Sequence, residues 1–124
     1  MKSEKNIAPQ ALNQRTKDFS LRVIKMFSAF PKTAIAQVMG KQVLRSATSV
    51  GANDREANRA RSKAEFIAKI GDCLKEIEET GYWLELFGES GTISQIKLAD
   101  LLGETRQLTA IFITILKRAK TGVR

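Results

Sequence analysis

Apolar side chains recur at spacings of three and four in four separate stretches of the chain, and this period predicts four amphipathic helices. The first runs from about Thr16 to Phe30 and carries Phe19, Val23, Met26, Phe27 and Phe30 on one face, with Thr16 or Asp18 as its cap and Pro31 as its stop. The second opens at Thr33 and continues to about Asn58 on a stripe of Ile35, Val38, Met39, Val43, Ala47 and Val50. Ser62, with Glu65 three residues on, is a capping box for a third helix from Lys63 to Phe87. Its apolar positions are Phe66, Ile70, Cys73, Leu74, Ile77, Leu84 and Phe87. A Gly88-Glu89-Ser90-Gly91 turn follows, and Thr92 with Gln95 repeats the capping logic for a fourth helix ending near Lys120, before Gly122.

Short connectors make sequential helices antiparallel, so the expected fold is all-α, an up-and-down antiparallel four-helix bundle over residues 15–120. Residues 1–14 read as a flexible tail and 121–124 as a basic C-terminal tail. Within the second helix, Ser46-Ala47-Thr48-Ser49-Val50-Gly51-Ala52-Asn53 is almost entirely small. A helical glycine costs roughly 1 kcal/mol relative to alanine, so Gly51 implies close approach of another backbone.

Composition narrows the function more than the fold. The 124 residues include no histidine, which removes Ser-His-Asp and Cys-His nucleophiles, His-based zinc sites and a His-ligated haem. Cys73 is the one cysteine, so no internal disulfide forms and it reads as a small core residue. No glycine-rich phosphate loop is present, no apolar run spans a bilayer, and the N-terminus lacks an apolar signal core. The expectation is a cytoplasmic, non-enzymatic protein with no cofactor and no metal.

Charge is the strongest remaining signal. Lys and Arg number 21 against 13 Asp and Glu, a formal +8 that attracts polyanions. The excess is segregated: Arg55, Arg59, Arg61, Lys63 and Lys69 cluster around the second connector, and Lys117, Arg118, Lys120 and Arg124 close the chain. In an up-down bundle those two stretches lie at the same end. Arg55, Arg59, Arg61, Lys63, Lys117, Arg118 and Lys120 are therefore the candidate nucleic-acid-binding residues, set against the alternative of a merely solvated face.

Six acids lie between Ile70 and Gly91 against Lys75 alone. Asp72, Glu76 and Glu79 are spaced to share a helix face, and a metal-dependent nuclease is the enzymatic alternative they raise. A face salt-bridged to Lys69 and Lys75 is the simpler reading. The fourth helix carries Ile111-Phe112-Ile113-Thr114-Ile115-Leu116, apolar almost all round. This predicts a second apolar face, with Ile111, Ile113 and Ile115 in an oligomer interface. Tyr82 and Trp83, about 100° apart on the third helix, read as one ring at an interface edge and one in the core.

The stretch Gln42-Val43-Leu44-Arg45-Ser46-Ala47-Thr48-Ser49-Val50-Gly51-Ala52-Asn53 has a further meaning. With Glu56-Ala57, Arg59-Ala60-Arg61-Ser62-Lys63, Glu65-Phe66-Ile67, Leu74-Lys75-Glu76, Glu79-Thr80 and Tyr82-Trp83-Leu84-Glu85-Leu86, it resembles a family of small bacterial proteins. These were first noticed as reading frames in intervening sequences of 23S ribosomal RNA genes. The likeness covers roughly Phe19 to Lys120. It implies a left-handed four-helix bundle, a basic surface and a ring-like homo-oligomer, typically a pentamer. A related branch, the accessory variability protein of diversity-generating retroelements, binds that element's reverse transcriptase and RNA. Asp54 departs from the family pattern, where an apolar or aromatic residue is frequent, and adds a negative charge beside the basic cluster. The expected partners are thus the chain itself, RNA or DNA, and a reverse transcriptase or other protein in the scaffold alternative.

Overall fold

The structure, a computed structural model, describes residues 7–122. Four helices follow in order: α1 (Pro9–Ser28), α2 (Ala34–Asn58), α3 (Lys63–Glu89) and α4 (Gln95–Thr121). Consecutive helices pack on one another, and α1 touches α4 only lightly. Cross-links fix the antiparallel sense: Asn58 Nδ2 near the end of α2 donates to Asn13 Oδ1 near the start of α1 at 2.9 Å. The fold is an all-α four-helix bundle. Among the described residues no helix is long and apolar enough to cross a membrane.

The first helix begins well before the expected Thr16. Ala8 precedes it without a side-chain cap, and Pro9 takes the first turn, where a missing N–H removes no helical bond. Residues 9–14 are therefore helix rather than tail, and Leu12 is buried in the core. Thr16 is buried too, donating to the Asn13 carbonyl at 3.1 Å, so neither it nor Asp18 is a cap. At the other terminus Thr121 still belongs to α4 and Gly122, at φ 75°, ends it. Residues 1–6 and 123–124, Arg124 included, lie outside the described residues.

Two of the other caps stand where the sequence puts them. Thr33 accepts from the Ala36 amide at 3.2 Å and Ser62 from the Glu65 amide at 3.0 Å. For α4 the cap is Ser94, accepting from Lys97, while Thr92 lies in the turn bonded to Ser90. Polar side chains at both positions make this turn ambiguous from composition alone.

The core joins Phe19, Val23, Val43, Val50, Ile70, Ile77, Leu84, Phe87, Leu98, Leu108 and Phe112, with Cys73 among them. The buried face of α2 is rotated from the expected stripe. Ala36, Gly40, Val43, Ser46, Ala47, Val50, Asp54 and Ala57 face inward, whereas Ile35 and Val38 are each 64% exposed. Small residues hold this face because α1 packs close against it. The tightest point is Gly40 rather than Gly51. A Cβ on Gly40 would overlap the Phe27 ring and stand 2.9 Å from Phe30, whereas one on Gly51 would meet Thr16 Oγ1 at an ordinary 3.5 Å.

Candidate nucleic-acid interface

The end of the bundle formed by the α2–α3 connector collects the basic residues. Arg55 lies in the last turn of α2 and Arg59 is its C-cap; Ala60 and Arg61 lead to the Ser62 cap, and Lys63 starts α3. Arg118 and Lys120 occupy the last turn of α4, one residue after Lys117 in the case of Arg118. The Lys63 Nζ stands 4.0 Å from where a Cβ on Gly122 would lie, which ties the start of α3 to the end of α4. All seven predicted cations are thus brought to one end.

Local helix physics accounts for part of this arrangement. Cations in the last turns of α2 and α4 complement the negative ends of the helix dipoles. Lys63 sits at the positive end of its own helix, where a lysine is disfavoured, and Arg61 lies just before it. Glu65 in the first turn offsets this in part, reaching the fully exposed Arg61 at 3.9 Å. Arg55, Arg59, Lys63, Lys117, Arg118 and Lys120 make no ion pair among the described residues. Mutual repulsion at such an end is tolerated only because water screens it, and a polyanion relieves it directly.

The α1 helix adds a residue that the sequence pattern passed over. Lys17 lines a shallow depression with Arg55, Asn13 and Gly51, so it extends the basic surface onto α1. Lys17 already lay inside the expected first helix, but its distance in sequence from the two basic clusters hid its place beside Arg55.

Asp54 does not weaken this surface in the way its charge suggests. It is only 1% exposed, facing α1, where its carboxylate accepts from Thr16 Oγ1 at a long 3.4 Å. Burial pushes its pKa up to about 6, with the Thr16 bond and neighbouring Arg55 pulling the other way. Burial also raises the Cys73 thiol well above its usual range, and the Asp54 and Asp72 charges add to that effect. Cys73 donates to the Val50 carbonyl at 3.6 Å inside the core and is in no position to act as a thiolate.

Between α2 and α3 several charges are paired. Glu76 and Glu79 both turn to Arg45 of α2, with Arg45 Nη1 3.3 Å from Glu76, while Trp83 Nε1 donates to Glu79 at 3.0 Å. The Trp83 bond, followed by Arg45, holds the Glu79 carboxyl below its usual range despite partial burial. The expected partners Lys69 and Lys75 are replaced here by Arg45, and Lys69 pairs with Glu56 at 2.8 Å. Among the described residues no group of three His, Cys, Asp or Glu is placed to hold a metal ion.

The four residues expected at an oligomer interface separate. Ile111 is 1% exposed and packs with Phe112 in the protomer's own core, so it presents no free face. Ile115 is half-buried against that core. Ile113, at 37%, and Tyr82, at 56%, remain exposed. Trp83 packs on the core with its ring edge-on to Tyr82 at 5.5 Å. Larger exposed apolar side chains occur where the periodicity pointed inward or was silent: Leu21, Ile24, Ile35, Val38 and Ile96.

The family of 23S rRNA-intervening sequence proteins matches this sequence over residues 10–114. The chain belongs to that family. This member is also similar to a crystal structure of a protein of unknown function from the S23 ribosomal protein family of Bacteroides thetaiotaomicron VPI-5482. The two share 35% identity at a TM-score of 0.80, over 85% of this chain and 97% of the other. No curated protein matches this family member.

Proposed function

We propose that this protein is a non-enzymatic, cytoplasmic nucleic-acid-binding bundle whose basic end holds the phosphate backbone of RNA or DNA. The observation that carries the reading is the gathering of seven cations from α2, α3, α4 and the α2–α3 connector at one end, six of them without an ion pair among the described residues. Arginine forks and lysine ammoniums suit phosphate oxygens, and contacts of this kind fix position without reading bases. The family's association with 23S rRNA intervening sequences makes structured RNA the first ligand to try. Anisotropy titrations of a structured RNA, an RNA–DNA hybrid and duplex DNA test it. Replacing Arg55, Arg59, Arg61 and Lys63 by Gln should abolish binding at physiological salt; unchanged binding rules out the assignment.

A second reading is an interaction scaffold, a homo-oligomeric ring (a pentamer by family resemblance) that presents helix faces to a partner such as a reverse transcriptase. The exposed Ile35, Val38, Leu21 and Ile24 favour it, since they lie outside the protomer's core. Retention of a protein partner after nuclease treatment at moderate salt separates it from the first reading. The two readings share the assembly. Ile113→Lys should dissociate the oligomer in light scattering while leaving the helical signal intact, and a wild type that is monomeric at micromolar concentration defeats the ring.

A further inference from the structure

A second cationic feature lies at the opposite end of the bundle. α1 packs on α2 and touches α4 only lightly, and across that seam Arg15 forks onto Glu104 at 2.7 and 2.8 Å. Beyond that clamp the seam opens into a groove of about 720 Å³ between the C-terminal half of α1 and the start of α4. Its volume falls in the range of about 300–1,000 Å³ typical of small-molecule sites.

The groove has two chemistries. Met26, Phe30, Ile93 and Leu101 supply an apolar lining, with Phe30 and Leu101 almost wholly buried. Phe30 is held edge-on by Phe27 and Phe87, so this part of the lining is rigid. Arg22 and Lys25 from α1 and Lys97 from α4 also line it, all three exposed and without an ion pair among the described residues. Asp100 is the one carboxylate in the lining. The start of α4, at Ser94, opens on the same groove and adds the positive end of a helix dipole.

We propose that this groove binds a small amphipathic organic anion, its phosphate or carboxylate among Arg22, Lys25 and Lys97 and its apolar body over Met26, Ala29, Pro31 and Ile93, with Phe30 and Leu101 beneath them. Three cations against one carboxylate set the sign of the ligand. The apolar lining sets its form, since an inorganic ion leaves that lining wet and a neutral apolar molecule leaves the cations unused. A nucleic-acid backbone is a poorer fit, because its phosphates alternate with polar sugars rather than with an apolar body. The site is independent of the basic surface at Lys63.

The test uses 1-naphthyl phosphate as probe, with inorganic phosphate as comparison, followed by backbone amide NMR of the full chain. Saturable shifts centred on Ala29 and on Thr92 through Lys97 are expected, with the amides of Arg59 through Lys63 still. Inorganic phosphate should bind more weakly. Arg22→Gln, Lys25→Gln and Lys97→Gln together should weaken naphthyl phosphate by about tenfold, as three exposed charges allow. These side chains are exposed, so the variant keeps the fold. Equal response to both phosphates, shifts that never saturate, saturation centred on Arg59 through Lys63, or an unchanged affinity in the triple variant each overturn the proposal.

Discussion

The basic end and the α2–α3 waist hold similar side chains and treat them in opposite ways. At the waist Arg45 is taken by Glu76 and Glu79, and nearer the end Lys69 is taken by Glu56, so these charges are spent inside the molecule. At the end Arg55, Arg59, Lys63, Lys117, Arg118 and Lys120 make no ion pair among the described residues. The net charge of the whole chain does not show this difference. Local pairing does, and it leaves the end as the place where a polyanion gains most.

The largest test of that contrast reverses charge at the end. Arg59→Glu with Lys63→Glu should weaken RNA binding by at least about a hundredfold, given the steep dependence of such complexes on phosphate contacts. The urea midpoint should barely move, because both side chains are exposed. A loss of stability matching the loss of binding would erase the distinction between the two regions.

A smaller effect comes from the carboxylate beneath the basic end. Burial raises Asp54 from an ordinary 3.8 to about 6. The unfolded chain therefore releases this proton first. Stability tied to the group is complete below the unfolded value and is lost as pH climbs through about 6. Asp54→Asn should remove that fall and raise stability at pH 8 by about 1–3 kcal/mol. Urea unfolding at pH 4 and pH 8 reads it. RNA affinity should stay the same, since the carboxylate is covered; tighter binding in the variant would mean that Asp54 acts on the surface.

The smallest effect belongs to the waist. Arg45→Ala removes an exposed pair of contacts and should cost about 1 kcal/mol or less, with RNA affinity changed by less than about twofold. A large loss of binding here would extend the interface onto α2 and undo the comparison.

Much of the fold was legible because the apolar period of α3 and α4 is strong, and because Ser62 and Gly122 mark ends by their own chemistry. The start of α1 was hidden: no Ser, Thr or Asp caps it, and Pro9 does so by geometry rather than by a side-chain bond. The face of α2 was misassigned because hydrophobicity was weighed over size. Ala36, Gly40 and Ser46 go inward since α1 and α3 press close, and Ile35 and Val38 are left outside. On α4 the same rule failed in reverse, since a run apolar all round does not say which isoleucine is the core one, and Ile111 was. The convergence of the basic residues followed from topology, which sequence order dictates. That six of them make no ion pair among the described residues did not follow, because pairing joins residues far apart in the chain, as Arg45 does with Glu76 and Glu79, 31 and 34 residues away. The α1–α4 groove had no sequence signature, being an opening between helices far apart in the chain.

If cations from α2, α3 and α4 form one phosphate-binding surface, the salt dependence of RNA affinity reports it. Each phosphate contact contributes about −0.7 to −0.9 to the slope of log K against log salt. The wild type should give a slope worth several contacts, and replacing Lys117, Arg118 and Lys120 by Gln should make it shallower by about two units. A slope unchanged by those three substitutions, or one near zero in the wild type, contradicts a shared surface.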